Sequence, residues 1–523
     1  MHKNLKSYII LIIVSIILTF MSLCILKNGF YVDEIYSYGL AHSSTGAFLD
    51  GYRDISVQQN PYALHDHWLK GKIFHDYLTV QPYERFQYSH IIKNLKNDVH
   101  PPLYFILLHT IDSFIPDTFN KYPGLLLNGL ILILLIILFN KASIELLKDK
   151  KWALAATFLF AFLPITLETE VYIRMYLLEM AFFIGLIWQA LKIINDKKFV
   201  FHQIITTYIL ATCCFLTHFY GLIYAFFLTL GTIILLLLEK HYRLSLLYGI
   251  IMLSSVLTTA IIFPPFLNII LFSERGLEIS QITSKWHLWL IPHFFEFLLN
   301  QLSVSLFFAH HFLIVWSLIV LCVLLLFYKN KLPKIGYTLF IIGLITGFFI
   351  VMLAPNMGRF NSRYYVGVIP LIYLSLVLAF KQHFTLKIFC YTALILSVIN
   401  FSIMLHNPFL DRNSDLSQIQ KTIENKKVLL QRHIFPSIFV LAPALQKASD
   451  IYIIYKDEDI KKHTKNNDFP VGSIFIQELT STGTGKFQSK TSYATSEYGL
   501  KYNNMYEIDY IVYDAYEKTA YTD

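Results

Sequence analysis

The sequence has little charge and no cysteine pattern. Only 15% of its 523 residues are charged, whereas 55% are apolar. A chain of this composition has too little polar surface to enclose a soluble core of its size. All five cysteines fall inside apolar segments and none has metal-ligand spacing, so neither a disulfide framework nor a local zinc motif is indicated. The composition predicts a polytopic membrane protein.

The sequence also lacks a signal-peptide cleavage site. Its first apolar run, residues 8–26, follows the basic residues Lys3 and Lys6, but the run is longer than a signal-peptide core and shows no Ala-x-Ala-like site. We interpret it as a retained span. The net charge of +8 comes from basic residues spread among the loops. Such residues are typical topology signals, and we expect no nucleic-acid partner.

Eleven apolar runs are long enough to cross the roughly 30 Å of membrane hydrocarbon. The run 101–115 is shorter, and His109 and Asp112 interrupt it, which favours an interfacial helix in the first outer loop. The predicted spans are 8–26, 122–140, 152–167, 174–194, 203–218, 220–238, 244–263, 309–328, 335–353, 364–380 and 388–405.

With a cytoplasmic N-terminus, this topology places most Lys and Arg residues of the short loops inside, as the positive-inside rule requires. The spans carry almost no charge at mid-membrane depth, where transporters and pumps usually keep ionisable residues. Chemistry is therefore expected at the outer surface. The polar groups that fall on this side include Asp33, Glu34, the His100-Pro101-Pro102 segment, Glu168, Glu170, Arg174, His218, Arg359 and Arg363.

Two adjacent acids, Asp33 and Glu34, follow the first span directly. Ionisable groups near a bilayer are costly and are kept for a reason. A carboxylate that lipid partly shields from water can act as a base or hold a cation. The alternative is a solvated loop with two ordinary acids, and the pair alone does not decide between them.

From His406 onward the hydropathy falls. Short β-like runs at 428–430, 451–454, 473–476 and 508–512 alternate with helical stretches such as Leu416 to Asn425. This pattern predicts a small α/β domain. The chain is thus expected to comprise a transmembrane catalytic domain, residues 1–405, and an extracytoplasmic α/β domain, residues 406–523.

Four motifs, in chain order, point to a family. They are Asp33-Glu34-x-Tyr36, His100-Pro101-Pro102-Leu103-Tyr104, Arg174-Met175-Tyr176 and Thr217-His218-Phe219-Tyr220-Gly221. Together they resemble the family 39-like glycosyltransferases of the GT-C fold, a group that includes dolichyl-phosphate-mannose protein mannosyltransferases and bacterial aminoarabinose transferases. Arg363-Tyr364-Tyr365 is similar to the late Arg-Tyr element of this group. The resemblance covers residues 1–405 and leaves the tail uncovered.

The resemblance implies an enzyme that transfers a sugar from a polyprenyl-phosphate donor to an envelope acceptor, with membrane lipids as its surroundings. A phosphate leaves as a stable anion, so one carboxylate suffices as base. Asp33 is the expected base in an inverting reaction, and Glu34 is expected to hold Asp33, a substrate hydroxyl or a cation. The donor phosphate is expected at Arg174, Arg363, His100 and His218. Residues expected to contact substrate are Tyr36, Tyr104, Glu170, Tyr176, Tyr220 and Tyr364.

Several points stay open at this stage. Bacterial relatives carry a Gln-Glu pair shortly before the Arg-x-Tyr motif, whereas here Tyr172 and Ile173 precede Arg174. Arg174 could instead pair with Glu170, four residues earlier. No local metal-ligand spacing exists, so no obligatory metal site is expected, although a divalent cation stays an option. The alternative functions are a transporter or flippase of lipid-linked substrates and a catalytically silent envelope assembly protein. The expected location is a bacterial plasma membrane.

Overall fold

The structure is a computed structural model and describes residues 2–47, 67–96, 98–272, 291–307, 333–353, 362–407, 410, 415–431, 437–454, 457–464, 468–481, 487–488, 498–508 and 511–519. Within these residues the α-helices are α1 His2–Leu26, α2 Val32–His42, α3 Lys72–Leu78, α4 Ser89–Lys96, α5 Leu103–Asp112, α6 Tyr122–Leu147, α7 Lys150–Ala161, α8 Pro164–Val171, α9 Tyr176–Asp196, α10 Phe201–Phe215, α11 Tyr220–Leu238, α12 Tyr242–Ile262, α13 Pro265–Phe272, α14 Ile291–Phe307, α15 Lys334–Leu353, α16 Val368–His383, α17 Leu386–Leu405, α18 Leu416–Ile423, α19 Ser437–Leu445 and α20 Asp457–Thr464.

The strands are β1 Leu69–Lys70, β2 Lys427–Gln431, β3 Asp450–Ile454, β4 Ile474–Ser481, β5 Phe487–Gln488, β6 Leu500–Ile508 and β7 Ile511–Lys518. Short 3₁₀ helices lie at Pro82–Glu84 and Ser362–Tyr365.

The chain divides into two compact units. The first unit comprises Met1–Cys24, Val99–Tyr104 and Leu125–His406, and the second comprises Ile25–Asp98, Phe105–Gly124 and Asn407–Asp523. The second unit therefore combines most of the first predicted outer loop with the tail. The division into functional domains at residues 405 and 406 stays a prediction.

The first unit is helical. Helix α9 packs against α10 and α11, α11 packs against α12 and α15, and α15 packs against α16. Phe139 of α6 stacks on Phe160 of α7 with ring centroids 3.9 Å apart. Large apolar side chains such as Ile10 and Ile261 are exposed on the helices, which is the surface that a lipid environment requires.

Seven described helices are long and apolar enough to cross a membrane, or eight when one bent pair counts as a single span. The prediction of a multi-pass helical protein is confirmed. Helices α10 and α16, at the predicted spans 203–218 and 364–380, have only 15 and 16 residues. The predicted span 309–328 lies outside the described residues. The count of eleven spans, and the interfacial position of α5, therefore stay predictions.

The predicted span 152–167 is not one straight helix. Helices α7 and α8 meet at an angle of 58°. Pro164 stands at the start of α8 and has no N–H with which to continue α7. The side chain of Asn400, buried in α17, donates to the carbonyl of Phe162 at 3.0 Å. That bond satisfies a backbone acceptor at the break, where water is scarce.

The second unit contains a seven-stranded sheet with strand order β1-β3-β2-β4-β7-β6, and β5 pairs with β4. Strand β2 runs parallel to β3 and β4, whereas β7 runs antiparallel to β4 and β6. Leu429, Phe475 and Tyr516 form part of its buried core. The predicted strands near 428, 451 and 474 and the helix at 416 are present. The predicted run 508–512 covers the end of β6 and the start of β7, and residues 509 and 510 lie outside the described residues.

The first outer loop also contributes to the second unit. Strand β1 pairs with β3 through Leu69 and Ile451, and α19 packs against α2 and α3. Gly39 of α2 allows the close approach of Tyr77 in α3, because a Cβ atom at Gly39 would lie 1.9 Å from that ring. These contacts tie the turn after the first span to the sheet.

Three buried histidines lie together in the second unit. The rings of His42 and His90 lie 5.8 Å and 5.0 Å from the ring of His109. Nε2 of His42 lies 3.3 Å from Oδ2 of Asp112. The two ring nitrogens of His109 lie 3.0 Å and 3.2 Å from the carbonyl oxygens of Ala41 and Glu84. Burial, with smaller repulsion from the two other histidines, lowers the pKa of His109 from 6.5 to about 4.

This burial predicts an acid-sensitive fold. Between pH 6.5 and about 4 the unfolded chain holds a proton at His109 that the folded chain lacks, so stability falls as the pH falls through this range. The free energy of unfolding should fall by about 1.4 kcal/mol for each pH unit. His109→Gln should flatten this slope in unfolding measurements on detergent-purified protein, whereas the same substitution at the exposed His202 should leave it unchanged. An unchanged slope in His109→Gln would contradict this assignment.

Candidate functional site

The turn after the first span presents Asp33. Helix α2 begins at Val32, so Asp33 lies in its first turn, where the positive end of the helix stabilises an ionised carboxylate. Asp33 is partly exposed, whereas its neighbours Val32 and Glu34 are buried. A partly exposed carboxylate on a fixed helical turn can reach a substrate hydroxyl, which a general base must do.

Glu34 occupies a different environment from Asp33. Its two carboxylate oxygens each lie 3.0 Å from Nζ of Lys27, and both side chains are almost fully buried, with 1% and 0% exposure for Lys27 and Glu34. The backbone N–H of Tyr31 also donates to Glu34 at 2.7 Å, which is the acid half of a capping box. Protein groups therefore hold the carboxylate of Glu34 and fix the start of α2.

The end of α1 is fixed by a second lysine. Nζ of Lys121 donates to the carbonyl oxygens of Ile25, at 3.3 Å, and of Lys27. A cation at the C-terminal end of a helix satisfies carbonyl groups that lack intrahelical partners. The chain is thus anchored on both sides of the short connection that leads to Asp33.

Tyr36 lies one helical turn after Asp33. Its ring packs edge-on against Phe439 of α19, with ring centroids 4.7 Å apart. This contact lies within the second unit and packs α2 against the tail segment.

The first unit brings several of the predicted phosphate ligands together. Nη2 of Arg174 lies 3.2 Å from Nε2 of His100, and the rings of His100 and His218 are 5.8 Å apart. Arg174 is only 4% exposed. A buried guanidinium and two imidazoles at this spacing form a centre of hydrogen-bond donors suited to an anion.

Arg363 lies among tyrosines in the same unit. Its guanidinium carbon is 5.7, 5.5 and 5.2 Å from the ring centres of Tyr172, Tyr176 and Tyr364, and Nη1 donates to the hydroxyl of Tyr172. Such cation–π contacts hold a guanidinium in place in a dry environment. The rings of Tyr176 and Tyr220 continue the cluster to His218, at 5.4 Å and 5.0 Å. We name these residues, with His100 and Arg174, the arginine–tyrosine cluster.

Tyr104 and Glu170, which were predicted to contact substrate, are not part of the arginine–tyrosine cluster. Tyr104 is fully buried, and its hydroxyl lies 3.4 Å from Oδ1 of Asn128. Glu170, on α8, is 2% exposed, and its Oε1 has no hydrogen-bond partner among the described residues. No ion pair joins Glu170 to Arg174 within the described chain, because α8 ends at Val171 and the helical spacing does not continue. The alternative pairing of Arg174 with Glu170 is therefore wrong.

Asn128 holds the segment that leads from α8 to Arg174. It is fully buried in α6 and donates to the carbonyl oxygens of Glu170, at 3.1 Å, and Tyr172, at 2.8 Å. These carbonyl groups lie at and just beyond the end of α8, where the intrahelical hydrogen bonds stop. One buried amide thus fixes the segment that carries Tyr172 and Arg174.

Solved structures share this architecture. The crystal structure of ArnT, an aminoarabinose transferase from Cupriavidus metallidurans, in the apo state matches 98% of this chain and 98% of its own with a TM-score of 0.57 at 10% identity. The structure of the same protein bound to undecaprenyl phosphate matches equally well. An oligosaccharyltransferase from Archaeoglobus fulgidus has a TM-score of 0.43 at 12% identity, covering 90% of this chain and 72% of its own, and is too distant to support an argument.

The chain has the GT-C fold. The GT-C fold that the sequence motifs predicted is thereby confirmed. No model of a known protein family matches the sequence, and a search of curated proteins finds no match. The likeness to ArnT therefore establishes the fold, and the activity has to be argued from the residues.

Sequence reasoning missed three buried polar residues of this GT-C protein. Lys27 stands just after the first apolar run and Asn128 lies inside the second, and neither belongs to a motif. Glu179, in the first turn of α9, is fully buried, with Oε1 3.4 Å from Nδ1 of His218. An ionisable residue inside an apolar span is a functional candidate by default, and that signal could have identified Glu179.

Clusters of metal-ligating side chains are a separate question. Within the described ranges, no group of three or more His, Cys, Asp or Glu side chains is arranged to hold a metal ion. The absence of an obligatory metal site stays a prediction.

Proposed function

We propose that this protein is a membrane glycosyltransferase that transfers a sugar from a polyprenyl-phosphate donor to an envelope acceptor, with inversion at the anomeric carbon. The observation that carries the proposal is the arginine–tyrosine cluster within a GT-C fold. Two guanidinium groups and two imidazoles are held by aromatic rings and by one another, which suits a phosphate that gains charge as it leaves. The ArnT structure that binds undecaprenyl phosphate supports this class of donor.

In the proposed reaction Asp33 removes the proton from the acceptor hydroxyl. The acceptor oxygen attacks the anomeric carbon, the bond from that carbon to the phosphate oxygen breaks, and the polyprenyl phosphate leaves with the bonding electrons. The arginine–tyrosine cluster stabilises the charge on that phosphate. Glu34, paired with Lys27, positions the turn that carries Asp33. We place the reaction on the outer side of a bacterial plasma membrane, with a cytoplasmic N-terminus and the domain 406–523 outside.

The phosphate assignment is tested by replacing the two arginines. Arg363→Met and Arg174→Met should each raise the KM for a polyprenyl-phosphate donor by tenfold or more, because a charge-assisted hydrogen bond contributes about 1.5–3 kcal/mol. Arg363→Lys should restore little, since the guanidinium fork and its stacking on tyrosine are both lost. Arg243→Met, on the exposed face of α12, is the control and should match the wild type.

A wild-type KM in both variants would remove the phosphate role. The lipids that co-purify with the wild-type protein, identified by mass spectrometry, would then name any other ligand. Mass spectrometry of envelope glycans with and without the protein would identify the sugar and the acceptor together.

A transporter of lipid-linked substrates remains the main competing function. It predicts paired broken helices in two repeated halves, whereas the described chain has one bent pair, α7 with α8. The two functions differ in one outcome: a transferase breaks the sugar–phosphate bond, and a flippase returns the donor intact.

A further inference from the structure

Glu179 is a buried carboxyl group that the proposed reaction does not yet use. Its side chain is 0% exposed, and neither of its carboxylate oxygens has a hydrogen-bond partner among the described residues. The basic group that the described chain places beside it is His218, with Nδ1 3.4 Å from Oε1. A buried carboxylate without hydrogen bonds is costly and needs a compensating charge.

Nδ1 of His218 lies near both a hydrogen-bond donor and a hydrogen-bond acceptor. The backbone N–H of Tyr220 donates to Nδ1 of His218 at 3.2 Å. Oε1 of Glu179 lies 3.4 Å from the same nitrogen. An unprotonated Nδ1 accepts from Tyr220, whereas a protonated Nδ1 donates to Glu179. The geometry therefore accommodates His218 either neutral or as the imidazolium ion.

His218 also lies near positive charge. The ring of His100 lies 5.8 Å from that of His218 and is hydrogen-bonded to Arg174. The positive charge of Arg174 therefore opposes protonation of His218. Glu179 supplies the negative charge that offsets this repulsion. The ionisable groups around the His218 site are Glu179, His100, Arg174, Tyr176, Tyr220 and Cys214.

We propose that Glu179 is a positioning residue that holds His218 as an imidazolium ion when the donor phosphate is bound. Nδ1–H then donates to Glu179, and Nε2–H donates to a phosphate oxygen. No covalent bond changes at His218, and its proton stays on the ring while the phosphate leaves. The inference rests on the proposed function and deepens it, because it names what gives the site its third positive charge beside Arg174 and Arg363.

A double-mutant cycle tests this coupling in the full-length protein. The probe is undecaprenyl phosphate, and its affinity is measured for the wild type, Glu179→Gln, His218→Gln and the double variant. Each single variant should bind about tenfold more weakly, and the double variant should bind no more weakly than either single one. Glu179→Asp keeps the charge and should stay within about threefold of the wild type. Glu239→Gln, an exposed acid at the end of α11, should match the wild type.

Each outcome decides the proposal. Wild-type affinity in Glu179→Gln, or losses that add in the double variant, would overturn the coupling while leaving the proposed function intact. Failure of the Glu179→Gln protein to fold would assign this isosteric position a purely structural role and would also overturn it. If the wild-type protein itself does not bind undecaprenyl phosphate, the proposed function fails and the inference fails with it.

Discussion

Asp33→Asn is expected to lower kcat for sugar transfer by about a hundredfold to ten-thousandfold, the usual contribution of a general base. The amide keeps the shape of the side chain but cannot take a proton. Because Asp33 is partly exposed in the first turn of α2, the loss of its charge should reduce stability by no more than about 1 kcal/mol. The KM for the donor should change little, since the predicted phosphate ligands are other residues.

The control for this experiment is Asp76→Asn. Asp76 belongs to the same unit and pairs with Lys72 at 2.5 Å on a solvent-facing helix turn, so its substitution should leave the rate unchanged. Asp33→Ala should be as inactive as Asp33→Asn. Full activity in both Asp33 variants would exclude a base at this position and would favour a transporter or a catalytically silent assembly protein.

Breaking the Lys27–Glu34 pair should have the largest effect on stability. Removing one member leaves the other as a buried, uncompensated charge, which typically costs about 3–5 kcal/mol. Glu34→Gln and Lys27→Met should therefore each lower the free energy of unfolding by roughly that amount. The double variant should recover most of the loss, because both charges are gone and the amide introduced by Glu34→Gln can still accept the Tyr31 N–H through its carbonyl oxygen.

The exposed pair Lys72–Asp76 is the matched comparison, with side chains 66% and 35% exposed. Lys72→Met should change the unfolding free energy by less than about 1 kcal/mol, since solvent screens such a pair. Unfolding is measured in the same detergent for all variants. A double variant that is as unstable as the two single variants combined would show that Lys27 and Glu34 act independently.

These two experiments separate the members of the Asp33-Glu34 pair. Asp33 should matter for the rate and little for stability. Glu34 should matter for stability, and its effect on the rate should follow from displacement of α2. Activity that is lost in Glu34→Gln and recovered together with stability in the double variant would indicate a positioning role.

The sequence predicted those parts of the fold that depend on hydrophobic runs. The spans near residues 8, 122, 174, 220, 244, 335 and 388 correspond to long helices because each run must satisfy its backbone internally in lipid. The bend between α7 and α8 was missed, although Pro164 marks it. A proline in an apolar run is compatible with a kink or a continuous span, and the Asn400 amide that bonds the backbone at this kink lies far along the chain.

The motifs identified several residues that the structure brings together. Arg174, His100 and His218 were expected to share a function, and the first unit brings them together. The partners of these site residues were not predicted, because no motif contains them and their contacts arise from tertiary packing. Glu179 of α9 lies 3.4 Å from His218, which is in the turn between α10 and α11, and Lys27, just after the first span, pairs with Glu34 of α2. Such pairs depend on tertiary packing and leave no local periodic signal.

The proposed glycosyltransferase must break the sugar–phosphate bond of its donor. In the most direct test, the wild-type protein is reconstituted in liposomes with lipid-linked sugars and envelope extract. The release of polyprenyl phosphate and the anomeric configuration of the product are then measured. We expect release of polyprenyl phosphate with an inverted sugar on the acceptor, and no release with Asp33→Asn. Recovery of the donor intact on the opposite leaflet, with no polyprenyl phosphate released, would contradict it.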